Sequence, residues 1–215
     1  MGRERFLSIL KNKQADHPGV WLGLPLPEEA KRMFDRFGVE DRLGLSRVAK
    51  EDFTMLSADV FFETPQPDGN SAFWTPRKHV FAECEDVREV EKYERWPEIG
   101  HIDWTALEHA LDVSRQDDVG TACGMWSCFF HQVADLFGME NYFVKMYTDP
   151  DVVHAVTERV VDYHLQMNEI IFSKYKGKID AFFMGNDFGT QLDLFVSPEC
   201  FREFILPYVN RDAGR

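Results

Sequence analysis

The stretch Ile179-Asp180-Ala181-Phe182-Phe183-Met184-Gly185 decides the fold class. It is apolar, too short for a helix and bounded by Gly177 and Gly185, so it reads as a buried strand. The segment before it, 150–175, carries the strongest helical pattern in the chain. Pro150 suits a first turn, Asp149 is placed to cap it, and Val153, Val156, Val160, Met167 and Ile171 repeat along one face. A long helix feeding a fully apolar strand is the pattern of a parallel sheet with crossover helices.

The same alternation extends toward the N-terminus. Val119 to Gly124 reads as a strand, with helices expected at about 127–137 and 140–147 after it. Ala58 to Glu63 reads as another, preceded by a helix over about 45–56. Gly19 to Pro25 reads as the first, and Pro27-Glu28-Glu29 then opens a helix that Gly38 stops. Phe6, Leu7, Ile9 and Leu10 give a short helical stripe over 3–13, and 103–115 is amphipathic. Ser197-Pro198-Glu199 opens a last helix. Residues 64–102 are less regular, with a turn at Asp68-Gly69, a hairpin over 72–84 and a charged surface run over 85–98. They read as an elaboration of the loop after the second strand.

The expectation is an α/β chain whose single domain, 1–215, comprises about the first four units of a TIM-type (β/α)8 barrel. A full barrel has eight strands and about 250 residues, so the chain is expected to be an N-terminal portion. A doubly wound sheet is the rival, but no Gly-x-Gly-x-x-Gly follows any of these strands.

Composition narrows the function classes. The formal net charge of −13 over 215 residues argues against non-specific nucleic-acid or anionic-membrane binding, which need clustered Lys and Arg. Hydrophobic residues make up 44%, with 19 Phe, enough for a packed core. No run is long enough to span a bilayer, and the charged start lacks the apolar region of a secretory signal. Four scattered cysteines point to a reducing cytoplasm rather than a disulfide framework.

Catalytic groups in such folds sit at the C-terminal ends of strands. Asp187 follows the last strand between glycines and is the first candidate for acid–base work, against a role as a turn former. Glu63 closes the second strand and is the other candidate catalytic acid, against a solvated loop acid. Trp126, Asn186 and Phe188 are candidate substrate contacts. Cys123, Cys128 and His131 are zinc-competent types, but their spacing matches no standard site and the reading assigns no metal ligand. There is no P-loop, no Gly-x-Ser-x-Gly, no His-Glu-x-x-His and no Cys-x-x-Cys.

Four segments give the chain a resemblance to a known family. They are Arg3-Glu-Arg-Phe-Leu7 to Asp16-His-Pro-Gly-Val-Trp21; Gly124-Met-Trp126; Phe137-Gly-Met-Glu140 through Tyr147-Thr-Asp-Pro150; and Gly185-Asn-Asp-Phe-Gly-Thr190 with Ser197-Pro-Glu-x-Phe-Arg-Glu-Phe204 and Leu206-Pro-Tyr208. In order and spacing they resemble the uroporphyrinogen decarboxylase superfamily, which includes zinc-dependent, corrinoid-linked methyltransferases. The resemblance implies a β/α barrel and a small-molecule or corrinoid-protein substrate. The decarboxylases carry Met-Arg-Gln-Ala-Gly-Arg at the first strand, where this chain has Trp21-Leu-Gly-Leu-Pro25 without the guanidinium groups that recognise carboxylates. Their strand-two aspartate falls at or next to Glu63. The resemblance is therefore closer to the methyltransferase branch. Zinc and a corrinoid are implied for a complete homologue, whose zinc ligands lie beyond the matched segments. The alternatives are a uroporphyrinogen decarboxylase of porphyrin biosynthesis, and a non-catalytic half barrel whose sheet edges pair with a second copy or a partner.

Overall fold

A computed structural model describes residues 2–23, 25–57, 79–97, 99–101, 104–125 and 129–212. The chain is mixed α/β, mostly helical, with a small parallel sheet. It divides into two compact units. The expected strand at 58–63, most of the 72–84 hairpin, and Glu63, Trp126 and Cys128 lie outside the described residues.

The first unit comprises Met1–Phe61, Trp104–Gly124 and Phe172–Phe183. Helices α1 (Gly2–Leu10), α2 (Pro27–Phe37) and α3 (Arg42–Ala49) precede strand β1 (Phe53–Ser57). Pro27 starts α2, and Gly38 ends it in the left-handed conformation, its N–H reaching Phe34 O. The Asp41 side chain caps α3 by accepting from Gly44 N at 2.7 Å. Helix α5 (Thr105–Gln116) then leads to β2 (Gly120–Gly124), and β3 is Ala181–Phe182. The strands lie parallel in the order β1-β2-β3, with Phe53 opposite Gly120 and Ala122 opposite Ala181. Phe6 packs with Met55 and Ala122 and stacks on Phe53 at 4.7 Å.

Three local expectations are corrected. Residues 53–56, read as the end of a helix, are strand. Lys50 adopts the left-handed conformation (φ 54°) just after α3 and ends it at Ala49, seven residues early. Gly19 to Pro25 forms no strand among its described residues. Its amides turn to carboxylates instead: Val20 N donates to Asp52 Oδ2 at 2.8 Å and Leu22 N to Glu51 Oε1 at 2.5 Å. The last strand is two residues long rather than seven: Asp180 N still donates to Thr121 O at 2.9 Å, but the Thr121 N–H goes to the Asp180 carboxylate (3.1 Å) instead of a strand carbonyl, and that carboxylate also binds Arg3 (2.7 Å) and Arg115 (3.2 Å).

The second unit comprises Phe62–Asp103, Met125–Ile171 and Met184–Arg215. It holds α4 (Val87–Lys92), α6 (Phe130–Phe137), α7 (Met139–Thr148) and most of α8 (Pro150–Lys174). The expected apolar face of α8 is buried throughout. It meets Phe130, Phe137, Tyr142 and Phe204 in one core. Phe81, Cys84 and Val90 are buried in that core, so the charged run around α4 is anchored rather than merely superficial. Asp149 does not spend its side chain on α8; it accepts from Lys145 Nζ at 3.2 Å and Thr148 Oγ1 at 2.6 Å.

After Ser197, whose Oγ accepts from Cys200 N, come α9 (Pro198–Cys200), a π-helical turn (Phe201–Ile205) and α10 (Leu206–Asp212). In the wide turn Leu206 N–H reaches Phe201 O. Pro207 follows at once and has no N–H to offer a regular ladder, which suits a local change of winding. Tyr208 is buried against Phe129 and shares a 2.9 Å hydrogen bond with His154 Nδ1.

Candidate functional site

Gly124 closes β2 with the carbonyl oxygen of Phe183 only 2.2 Å from where a Cβ would stand. Only glycine allows that approach, and it fixes where the chain leaves β3. Gly185 to Gly189 follows directly, and its three side-chain candidates have distinct fates.

Asn186 is half-buried, and its Oδ1 accepts from His131 Nδ1 at 3.1 Å. His131 is supplied by α6, where it is half-buried in the first turn. An amide oxygen only accepts, so Nδ1 carries the ring proton and Nε2 is left as the basic nitrogen. Asp187, the next residue, is exposed, and its carboxylate makes no hydrogen bond or ion pair among the described residues. The turn that follows is held by others: Thr190 Oγ1 accepts from Leu192 N and Asp193 N, both at 3.1 Å, and Gly189 bridges Leu194. Asp187 is thus not the turn former. Phe188 packs edge-on against Phe130 (5.4 Å) and Phe201 (5.3 Å). These contacts make it a wall that holds the loop in place.

Asp135 lies one turn beyond His131 on α6. Packing around its carboxyl raises its pKa, against the pull of His131 and His79. His79 Nδ1 donates to the Asp135 carbonyl at 3.1 Å and ties the turn that leads to Phe81 onto α6.

The arrangement therefore brings together Asn186, Asp187 and Phe188 from one loop and His131 from another element. The sequence offered His131 only as a zinc-type residue, and its separation of 55 positions from Asn186 conceals the pairing. Zinc has no cradle among the described residues: Cys84, Cys123 and Cys200 are buried and in no disulfide, and no three described His, Cys, Asp or Glu side chains are grouped to hold a metal. No helix among the described residues is long and apolar enough to cross a membrane.

No family model, no curated protein and no solved structure matches the chain.

Proposed function

We propose that the chain acts as an enzyme of the uroporphyrinogen decarboxylase superfamily, in its methyl-transfer branch, working on a small-molecule or corrinoid-protein substrate in a reducing cytoplasm. The observation that carries the reading is the unspent Asp187 carboxylate beside an asparagine that orients His131. A carboxylate used for no structural bond, next to an oriented base, is what proton management at a reacting centre requires.

In this reading Asn186 holds His131 with Nε2 basic, and that nitrogen takes the proton of the acceptor's thiol or hydroxyl as the sulfur or oxygen bonds to the methyl carbon of the corrinoid substrate, whose carbon–cobalt bond breaks with its electron pair leaving on cobalt. Asp187 holds the acceptor or stabilises positive charge that develops on the imidazole. Phe188 keeps the loop against Phe130 so that both groups stay in register. No three metal-ligating side chains are grouped among the described residues, and His131 is the group at this loop that can take up a thiol proton. The cations nearest the decarboxylase-type recognition position are committed elsewhere: Arg42 binds Glu51 at 2.7 Å, and Arg5 binds Asp16 at 2.6 Å.

The test uses methylcobalamin as methyl source and mercaptoethanol as acceptor, followed by the loss of the methylcobalamin absorbance. The chain should accelerate transfer well above buffer. No acceleration overturns the reading, and decarboxylation of a porphyrinogen by the same preparation would replace it with the carboxy-lyase alternative.

A further inference from the structure

A cavity of about 350 Å³ opens beside α8 in the second unit, away from His131 and Asp187 in its lining. That volume lies in the range of small-ligand pockets. Trp96 and Ile99 form one wall, and Arg159, Asp162 and Tyr163 form the other. The latter three share one face of α8, spaced three and four residues apart.

The apolar wall is preformed. Trp96 Nε1 donates to Val90 O at 3.2 Å, and its ring stacks on Phe81 at 5.5 Å and meets Tyr93 edge-on. A ligand placed there orders nothing new, which lowers the cost of binding. Tyr163 is buried and adds a second aromatic surface.

The charges are unequal in what they have left to give. Asp162 accepts from Arg211 Nη2 at 2.6 Å. Arg159 is exposed and makes no hydrogen bond or ion pair among the described residues. Its planar fork matches a carboxylate through paired N–H donors. The neighbouring Asp162 opposes a second negative charge, so the site suits one carboxylate and not several.

We propose that this cavity binds a monocarboxylate with a flat apolar body, the carboxylate on Arg159 and the body between Trp96 and Tyr163. The site is separate from the proposed reaction and stands without it.

The experiment titrates the whole chain with phenylacetate and with its neutral counterpart phenylacetamide, reading tryptophan fluorescence. Phenylacetate should bind saturably, the amide at least tenfold more weakly. Arg159→Gln should lose binding of phenylacetate at least tenfold with an unchanged melting temperature, because Arg159 supports no other group among the described residues. Trp96→Phe should abolish the fluorescence change. No saturation by phenylacetate in the millimolar range, equal binding of acid and amide, full binding by Arg159→Gln, or a persisting signal in Trp96→Phe each overturns the proposal.

Discussion

The Phe6 ring occupies the space that a side chain at position 120 would need: a Cβ on Gly120 would lie 2.3 Å from Phe6 Cδ1. The first residue of β2 is therefore glycine because α1 lays an aromatic ring across it. Gly120→Ala should destabilise the first unit by about 1–3 kcal/mol, the usual cost of overpacking. Phe6→Leu in that background should recover part of the loss. Urea melts of the two single variants and the double variant check this; strictly additive losses would sink it.

Asp180 joins two arginines from distant parts of the first unit, and its side chain is only 3% exposed. Asp180→Ala leaves Arg3 and Arg115 without their anion. Both arginines keep some contact with water, so the expected loss is about 2 kcal/mol, below the ~3–5 kcal/mol of a fully buried pair. Chemical denaturation at neutral pH measures it, and a loss under about 0.5 kcal/mol would show the pair to be an ordinary surface contact.

The Asp86 carboxyl is held from 3.8 down to about 2, first by the hydrogen bonds it accepts from the Arg88 side chain and then by the Arg88 backbone N–H at 2.9 Å. The folded value lies below the unfolded one, so the contribution is complete above the ordinary carboxylate range. It is lost as pH falls through about 2. Because Trp96 hangs on Val90 O of the helix that Asp86 caps, the Trp96 indole N–H should report the loss in an NMR titration. Asp86→Asn should keep the cap and abolish that titration; an unchanged curve would place the event elsewhere.

Asp187→Asn should lower methyl transfer by more than tenfold, toward the roughly hundredfold low end of general acid–base contributions. Its melting temperature should barely move, since the carboxylate supports no other group among the described residues. His131→Gln should lower turnover similarly. Asn186→Leu should shift the pH dependence of turnover, because the ring then loses the partner that fixes its protonated nitrogen. Unchanged kinetics in Asp187→Asn would return that residue to the solvent.

Helix ends were legible because their causes are local. Pro27 with Gly38, and Ser197 with Pro198, act within one turn and stand where the sequence places them. The parallel sense of the sheet followed from strands alternating with helices. The Phe53–Ser57 strand was not legible, because its apolar spacing continues that of Leu45 and Val48 and nothing in a lysine at 50 announces a left-handed residue. Gly19 to Pro25 misled for the opposite reason. The run is apolar yet none of its described residues is buried, and its amides meet the carboxylates of Glu51 and Asp52 rather than a neighbouring strand. Asn186 and Asp187 could be singled out by following a strand, whereas the partner of Asn186 depends on tertiary folding alone.

The wide turn at Phe201–Ile205 has a consequence for chain length. Side chains four apart drift by about 40° per step around an ordinary α-helix. Cys200, Phe204 and Tyr208 would spread over about 80° along one, and all three are buried. The looser winding at Phe201–Ile205 narrows that spread. Losing one residue from this turn would swing Tyr208 by about 100°, away from Phe129 and His154. Losing one from the Thr190–Asp193 bend would only shorten a surface turn. The last helices thus tolerate substitution more readily than any change in count.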